Sequence, residues 1–301
     1  MIDDAVRVLR RGGLVAFPTE TVYGLGADAA NADALRRLYA VKGRPLDHPV
    51  IVHVARAAHL DELARDVPDL AHDLARAFWP GPLTLVVHKR AGRVAPEATG
   101  GRETVGIRVP DHPVALALLD AFDGGVAAPS ANRFGKVSPT TAAHVQADLG
   151  ADVDLVLDGG PARVGVESTI VDVTGAEPVI LRLGGVTEAQ LAEIAGRALA
   201  RRTGGEVAAP GTLPSHYAPN ARVVVAAPDA VAEIVRDLER SGLRVVALDA
   251  PHDAHEYAHV LYARLRNADE PGVDVIVAPE PLDTGGVGAA VMDRLRRASS
   301  R

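Results

Sequence analysis

The apolar runs LTLVV (83–87) and VGIRV (105–109) decide the fold of the larger part of the chain, because each is a short run typical of a buried strand. The first run follows Trp79-Pro80-Gly81-Pro82, which is a strong helix stop. Similar runs on either side are LVAF (14–17), VIVHV (50–54), GVAA (125–128), DLVL (154–157), STIVDV (168–173) and PVILRL (178–183). Helices are predicted over 3–10, 31–41, 69–78, 113–122, 139–149 and 187–199. This mixture predicts an α/β domain with strands of both directions in one sheet.

Residues 200–221 differ from the rest, because they hold several glycines and prolines and few apolar residues. That composition predicts a linker. Beyond it, the runs RVVVAA, LRVVAL and VDVIVA alternate with helical patterns near 229–240, 254–267 and 285–298. Regular alternation predicts a small, mainly parallel α/β domain. We therefore predict domains over 1–200 and 222–301, joined by a linker over 201–221.

Composition excludes several classes of protein. The chain has 301 residues, of which 48% are hydrophobic, so it can bury a large core. Its net charge of -7 argues against duplex binding, which needs a basic excess. The absence of cysteine excludes a disulfide framework, a thiolate zinc site and a cysteine nucleophile. No apolar run reaches the length of a membrane span and no secretory signal is apparent, so we predict a cytoplasmic protein.

Two motifs match the patterns of other functional sites. Gly24-Leu-Gly26-Ala-Asp-Ala29 matches a dinucleotide fingerprint, but the next helix begins only after Asn31, so we interpret these glycines as a bend. His255-Glu256-Tyr257-Ala258-His259 has the spacing of a zinc protease, but it lies in a predicted crossover helix with a polar face. We favour a solvated helix and predict no metal site. The chain contains neither a P-loop nor a nucleophile elbow.

Polar clusters lie in predicted loops and at strand ends, where functional residues are common. The first is Pro18–Gly26, where hydroxyls and a carboxylate precede glycines, and taken alone it fits an ordinary polar turn better than a site. Lys42 and Arg44 are two cations separated by a glycine, which fits either an anion site or a solvated helix end. Arg108 interrupts an apolar strand and needs a structural carboxylate or a ligand anion as its partner.

A further cluster, 128–140, holds Ser130 and Asn132, which present short donors and acceptors from a loop. Ser138 followed by Pro139 predicts the start of a helix, whose N-terminus suits a phosphate. Simple capping explains the same residues. Together with Arg182 and Tyr217, these clusters supply several cations and many hydroxyls, an inventory suited to holding a nucleoside triphosphate beside a small acid.

Nine motifs occur in order and resemble the YrdC-like domain of threonylcarbamoyl-AMP synthases: PTETVYGLG (18–26), KGRP with HPVIVHV (42–54), FWPGPLTLVV (78–87), TVGIRVP (104–110), APSAN (128–132), SPT (138–140), DGG (158–160), ESTIVD (167–172) and LRLGG (181–185). SHYAP (215–219) and the small second domain resemble the two-domain form of the family. The resemblance implies a twisted mixed-sheet first domain and a Rossmann-like second one. His48 stands where the family more often has Asn, so the contact at this position stays open.

The resemblance also implies an activity: making threonylcarbamoyl-AMP and pyrophosphate from L-threonine, bicarbonate or CO2, and ATP with Mg2+. The product would pass to a tRNA threonylcarbamoyl-transferring complex for threonylcarbamoyladenosine (t6A) at position 37, without stable nucleic-acid binding and without a membrane. By resemblance, the catalytic residues are Lys42, Arg44, Ser130 and Asn132. The threonine residues are Thr21, His53, Arg108, Ala128 and Ser168. The ATP residues are Arg44, His48, Thr104, Ser130, Ser138, Arg182 and Tyr217.

The resemblance leads to two hypotheses about the site. Lys42 and Arg44 would stabilise charge on the phosphates, so that replacing either with alanine abolishes most activity and leaves the fold intact. Residues 205–220 would form a lid, with Tyr217 folded over the nucleotide. The alternatives are an RNA-binding, translation-associated protein without catalysis and a carbamoyl transferase with another acceptor. The negative charge disfavours the former, and the lack of zinc-finger cysteines disfavours the latter.

Overall fold

The computed structural model describes residues 1–202 and 216–300. Within these residues, ten strands form one sheet: β1 (Val15–Phe17), β2 (Gly24–Asp28), β3 (Ile51–His53), β4 (Leu83–His88), β5 (Thr104–Arg108), β6 (Val126–Ala127), β7 (Leu155–Val156), β8 (Thr169–Asp172), β9 (Val179–Arg182) and β10 (Ala200–Arg201). Their spatial order is β10-β9-β8-β4-β5-β3-β6-β2-β1-β7. The sheet is mixed, since β5 is parallel to β3 and antiparallel to β4.

Helices cover this sheet: α1 (Ile2–Arg10), α2 (Ala32–Lys42), α3 (His59–Leu63), α4 (Asp69–Phe78), α5 (Pro96–Thr99), α6 (Pro113–Phe122), α7 (Ala142–Leu149) and α8 (Glu188–Ala195), with a 3-10 turn at Gly150–Asp152. Local chemistry sets their starts. The Asn31 side chain accepts two backbone N–H bonds at the start of α2, and Thr187 forms a capping box at α8. Ala16 packs into the core on one face of the sheet, and Val15 and Phe17 pack on the other. Both faces of the sheet are therefore buried.

The second domain alternates strand and helix through β11 (Arg222–Ala226), α9 (Val231–Arg240), β12 (Val245–Ala247), α10 (Ala254–Ala268), β13 (Val275–Pro279) and α11 (Gly286–Ser299). In the part of the chain that the structure describes, its three strands are parallel in the order β11-β13-β12. Tyr257, Leu261 and Tyr262 of α10 and Leu295 of α11 are fully buried in its core. The predicted fold class, a mixed-sheet domain followed by a small parallel α/β domain, is confirmed.

The glycines of Gly24-Leu-Gly26-Ala-Asp-Ala29 do not form the predicted bend. They belong to β2, which pairs antiparallel with β1. A Cβ on Gly26 would come within 2.8 Å of a Val126 side-chain carbon, so glycine allows close packing between neighbouring strands. The sequence interpretation failed here because glycine weakens the local strand signal, while the pairing with β1 comes from tertiary structure.

The helix predicted over 139–149 with Ser138 as its cap was also placed wrongly. The helix α7 begins at Ala142, and its cap is Thr141, whose hydroxyl accepts the His144 N–H. The Ser138 hydroxyl instead donates to Glu167 over 2.7 Å, and the Pro139 carbonyl accepts the Tyr23 N–H. Because these long-range partners hold residues 138 and 139 outside the helix, Ser138 offers no helix N-terminus to a phosphate.

Most of the predicted 201–221 linker, and of the lid within it, lies in 203–215, outside the described residues. On the C-terminal side, His216 and Tyr217 are described and buried. None of the described helices combines the length and the apolar character needed to cross a membrane.

Candidate active site

A cavity of about 540 Å³, its mouth included, opens where β3 and β5 end. These strands are parallel neighbours, so His53 and Arg108, their last residues, lie side by side. Loop 129–131 forms the adjacent wall, because Leu25 donates to the Pro129 carbonyl and Ala131 to the Tyr23 carbonyl. Most of the predicted site residues meet in the lining: Thr21, Arg44, His53, Arg108, Ala128, Ser130, Ser168, Arg182 and Tyr217.

The residues predicted for threonine lie together on one part of the wall. Burial and the neighbouring Arg108 cation lower the pKa of His53 to about 3, so its imidazole is neutral at physiological pH. The Ser168 hydroxyl lies 2.8 Å from the Thr84 hydroxyl, and the Thr21 hydroxyl lies 2.8 Å from that of Thr19. This part of the wall therefore offers neutral hydrogen-bonding groups around one arginine.

Arg108 has a structural carboxylate as its neighbour. The sequence had left open whether its partner is such a carboxylate or a ligand anion. Its Nη2 atom lies 2.7 Å from Glu20 Oε1, and its Nε atom donates to the Gly81 carbonyl over 3.2 Å. Both partners are almost fully buried. Among the described residues, Nη2 and both Glu20 oxygens lack a hydrogen bond of good geometry, so the guanidinium keeps capacity for a second carboxylate.

Two further arginines border the cavity. Gly43 ends α2 in the left-handed conformation, with φ 66°, and turns Arg44 out of the helix. The Arg44 guanidinium donates to the Pro49 carbonyl over 2.8 Å, and burial lowers its pKa to about 10, which leaves it charged at neutral pH. Arg182 donates to the carbonyl and to the hydroxyl of Ser168, over 3.0 and 3.1 Å. The cavity therefore has a positive wall, suited to an anion.

Lys42 lies behind this wall and is not part of the lining. Its ammonium donates to the Ser130 and Asn132 carbonyls, both over 2.5 Å. Burial and the neighbouring Arg44 cation lower its pKa well below the ordinary range. The Asn132 amide donates to the Arg133 and Lys136 carbonyls, both over 2.8 Å. Lys42 and Asn132 thus hold the loop that carries Ser130 to the cavity.

Three residues predicted for ATP also lie outside the lining. Ser138 binds Glu167, which is itself a lining residue. His48 lies behind Arg44, and its carbonyl accepts the Tyr39 hydroxyl over 2.7 Å. Thr104 begins β5 and pairs with His88, at the opposite end of the strand from Arg108. Thr104 and Arg108 are four positions apart, so the two lie about 13 Å apart along the strand.

Besides Thr19, the prediction omitted two polar residues that line the cavity, Glu167 and His216. Burial lowers the pKa of His216 to about 3, with a further lowering by Arg44. Both residues belong to motifs that the sequence displays, ESTIVD and SHYAP. A carboxylate directly before a buried strand was the available signal for Glu167, since such a group must find a cationic partner.

The HEYAH segment is helical, and both of its histidines are exposed. It lies on α10, and the imidazole of His259 is within 3.0 Å of the Arg163 carbonyl. Across residues 1–202 and 216–300, no three His, Asp or Glu side chains converge as a metal-binding group. The spacing is therefore that of a helix face packed beside the first domain.

Fold and cavity together define a two-domain α/β protein with a cavity lined by buried arginines and suited to small anionic ligands. Residues 7–184 match the Sua5_yciO_yrdC family model, described as "Telomere recombination". Residues 186–300 match the model described as "Threonylcarbamoyl-AMP synthase, C-terminal domain". The chain belongs to the threonylcarbamoyl-AMP synthase family.

Full-length relatives agree with this assignment. The chain is 41% identical to threonylcarbamoyl-AMP synthase of Pyrococcus abyssi over 98% of its own length and 93% of the relative's. It is 40% identical to that of Bacillus subtilis, over 99% and 92% of the two chains. It also superposes on the crystal structure of P. abyssi Sua5 complexed with L-threonine with a TM-score of 0.94, at 41% identity, covering 99% of this chain and 94% of that one.

Proposed function

We propose that this chain makes threonylcarbamoyl-AMP and pyrophosphate from L-threonine, bicarbonate or CO2, and ATP. The likeness to a relative solved with L-threonine, extending over both domains, is the observation that carries this proposal. The cavity supports it, because neutral hydrogen-bonding groups lie beside Arg108 while Arg44 and Arg182 border the remaining wall. One cavity can therefore hold a small amino acid and a polyphosphate side by side.

Arg108 would hold the threonine carboxylate. Its guanidinium is already oriented by Gly81 and Glu20, so little conformational entropy is lost on binding. The neutral imidazole of His53 adds no charge near the threonine amine. The amine, as the free base, attacks CO2 and loses a proton to give the carbamate, whose oxygen then attacks the α-phosphorus of ATP. The bond from that phosphorus to the β-phosphate oxygen breaks, and pyrophosphate leaves.

Charge develops on the phosphate oxygens during this displacement. Arg44 and Arg182 would stabilise it, because both are buried, charged and held by hydrogen bonds before the substrate arrives. Ser130 would contact the reacting groups from its loop, and Lys42 would support that loop through its two carbonyl contacts. Positioning and electrostatic stabilisation thus account for the catalysis we propose, without a covalent intermediate.

Mg2+ would enter as part of the substrate, bound to the phosphates of ATP. Glu167 is the one carboxylate among the described lining residues, and it already accepts from Ser138, Tyr262 and Arg294. The residues of the cavity therefore do not fit a dedicated protein site for the ion. Mg2+ commonly keeps several waters and binds through substrate phosphates.

The biological setting rests on the sequence. We propose that the product passes to a tRNA threonylcarbamoyl-transferring complex for t6A at position 37, in the cytoplasm. We also propose that residues 1–200 form the catalytic domain and that 201–221 connect it to the second domain, 222–301. The predicted roles of His48, Thr104 and Ser138 in ATP binding are part of the same proposal.

The test is pyrophosphate release from MgATP in the presence of bicarbonate, with and without L-threonine. We expect release that depends on threonine. Serine should support a turnover about tenfold or more lower at equal concentration, since one methyl group in a pocket is worth about 1–3 kcal/mol. Arg44→Met removes the cation and keeps a long side chain, and pyrophosphate release by this variant should fall sharply. Pyrophosphate release independent of threonine, or equal with every amino acid, would contradict the assignment.

A further inference from the structure

The last helix of the second domain places an arginine against the cavity wall. Arg294 of α11 has a side chain that is 0% exposed. Its Nε atom donates to Glu167 over 2.8 Å, and its Nη2 atom donates to the Leu183 carbonyl over 2.9 Å. Its Nη1 atom donates to Asp293 over 2.8 Å. Burying a guanidinium this completely is costly, so these contacts must be well formed to keep it there.

Glu167 connects Arg294 to the cavity. Its carboxylate accepts from Arg294, from the Tyr262 hydroxyl over 2.9 Å and from the Ser138 hydroxyl over 2.7 Å. A serine hydroxyl has one proton, and Ser138 donates it to Glu167. Its oxygen can therefore accept a hydrogen bond from a ligand but cannot donate one to a phosphate. As long as Glu167 keeps this position, the Ser138 proton is not available to a phosphate.

Arg294 also orients the aromatic wall. Its guanidinium carbon lies 5.3 Å from the ring centroid of Tyr217, within cation–π range. The ring of Tyr217 stacks on Tyr262 with 5.7 Å between centroids. Tyr217 has φ 63°, a left-handed conformation that is unfavourable for a tyrosine and persists only where the surroundings hold it. One buried arginine from the second domain therefore contacts both Glu167 and Tyr217, two neighbouring residues of the lining.

We propose that Arg294 is a positioning residue for the nucleotide half of the cavity, acting through Glu167 and Tyr217. In the absence of its guanidinium, Glu167 is a buried carboxylate without its ion-pair partner, and it would move toward another cation. Arg182 is the candidate, because it lines the same cavity and donates to the carbonyl and the hydroxyl of Ser168, the residue that follows Glu167. A carboxylate drawn to Arg182 would occupy a cation that we assign to ATP. The second domain would thus control nucleotide affinity without touching the nucleotide.

This inference rests on the proposed function, and a purely structural role for Arg294 predicts something different. Arg266 of α10 provides the comparison, because it also joins the two domains. It donates to Asp148 of α7 over 3.0 and 2.5 Å and to the backbone carbonyls of Val137 and Ser138. If Arg294 only holds the domains together, Arg294→Met and Arg266→Met should both lose stability. Neither variant should then change the affinity for ATP.

The experiment measures ATP binding by titration calorimetry and pyrophosphate release on the full chain. We expect Arg294→Met to weaken ATP binding by about ten- to a hundredfold, the usual range for coupling between sites. The KM for threonine should stay within about twofold, as for independent sites. Arg266→Met should lower the urea midpoint and leave ATP affinity within the same about twofold range. Arg294→Lys keeps the charge and should bind ATP with intermediate affinity, even if Arg294→Met fails to fold.

A double variant separates the mechanism from general damage. In Arg294→Met with Glu167→Gln, no unpaired carboxylate remains to compete for Arg182, so ATP affinity should recover above that of Arg294→Met alone. Strictly additive losses, or unchanged ATP affinity in both Arg294 variants, would overturn the proposal. ATP binding can be measured without threonine, so a wild-type protein that binds ATP without threonine-dependent release would refute the proposed function and still test Arg294.

Discussion

Replacing Glu167 with glutamine should remove one defined part of the pH dependence of stability. Burial alone would raise the pKa of this carboxyl. The Arg294 and Arg182 cations and the Ser138 hydroxyl have the larger, opposite effect, so the pKa falls from an ordinary 4.5 to about 2. A carboxyl whose folded pKa is lowered stabilises the protein above its unfolded pKa, and that stabilisation is lost as the pH falls toward the folded value. The window for Glu167 therefore runs from about pH 4.5 down to about 2.

The size of the effect follows from the same pKa values. At pH 3 the solution is about 1.5 pH units below the unfolded pKa, and each unit is worth about 1.4 kcal/mol, so the wild type loses about 2 kcal/mol relative to pH 7. Glu167→Gln lacks a titrating group at this position. The difference in unfolding free energy between wild type and variant should accordingly shrink by about 2 kcal/mol from pH 7 to pH 3.

Urea unfolding at pH 7, 5, 4 and 3, followed by fluorescence of the single tryptophan, Trp79 in the first domain, measures this difference. Glu177→Gln is the matched control, since its carboxylate is 71% exposed and pairs with Arg197 at the surface. An exposed pair is worth at most about 1 kcal/mol, so the control difference should barely change with pH. A constant difference for Glu167→Gln across this range would show that the carboxylate is not held ionised by its buried cations.

Other substitutions test separate parts of the site. Lys42→Met removes two buried hydrogen bonds to loop carbonyls. We therefore expect pyrophosphate release to fall by about a hundredfold and the urea midpoint to fall as well. Undiminished release would contradict the role of the loop. Arg108→Lys replaces the planar fork with a point charge, so steady-state kinetics should show the KM for threonine raised by about tenfold and the KM for ATP little changed. Gly184→Ala places a Cβ 2.2 Å from a backbone carbonyl oxygen and should cost about 3 kcal/mol or more in urea unfolding, whereas Gly175→Ala, with its nearest atom at 3.7 Å, should cost little.

The structure also changes one expectation about Lys42. The sequence suggested that replacing it with alanine would spare the fold, as for a side chain that faces the ligand. The ammonium is instead buried on two loop carbonyls, which alanine would leave without a donor. Each such loss costs about 1–3 kcal/mol, so the alanine variant should lose stability together with activity.

Local sequence determined much of this protein. Apolar runs predicted β4, β5 and the three parallel strands of the second domain, because strand formation there follows from short, buried, β-branched segments. Asn31 predicted the start of α2, since a cap acts on backbone N–H groups only two and three residues away. The ordered motifs predicted the family. They also predicted many of the residues that line the cavity, including His53 and Arg108 at the ends of neighbouring strands.

Tertiary structure decided what depends on partners distant in sequence. Ser138 is not a helix cap because Glu167, 29 residues later, captures its hydroxyl. Gly24–Asp28 form a strand because β1 and β6 pair with a segment whose own propensity is weak. Arg294 lies 127 residues from Glu167, and no local pattern indicates that they meet. Electrostatic pairing and strand pairing act through space, so a sequence specifies them only through the complete fold.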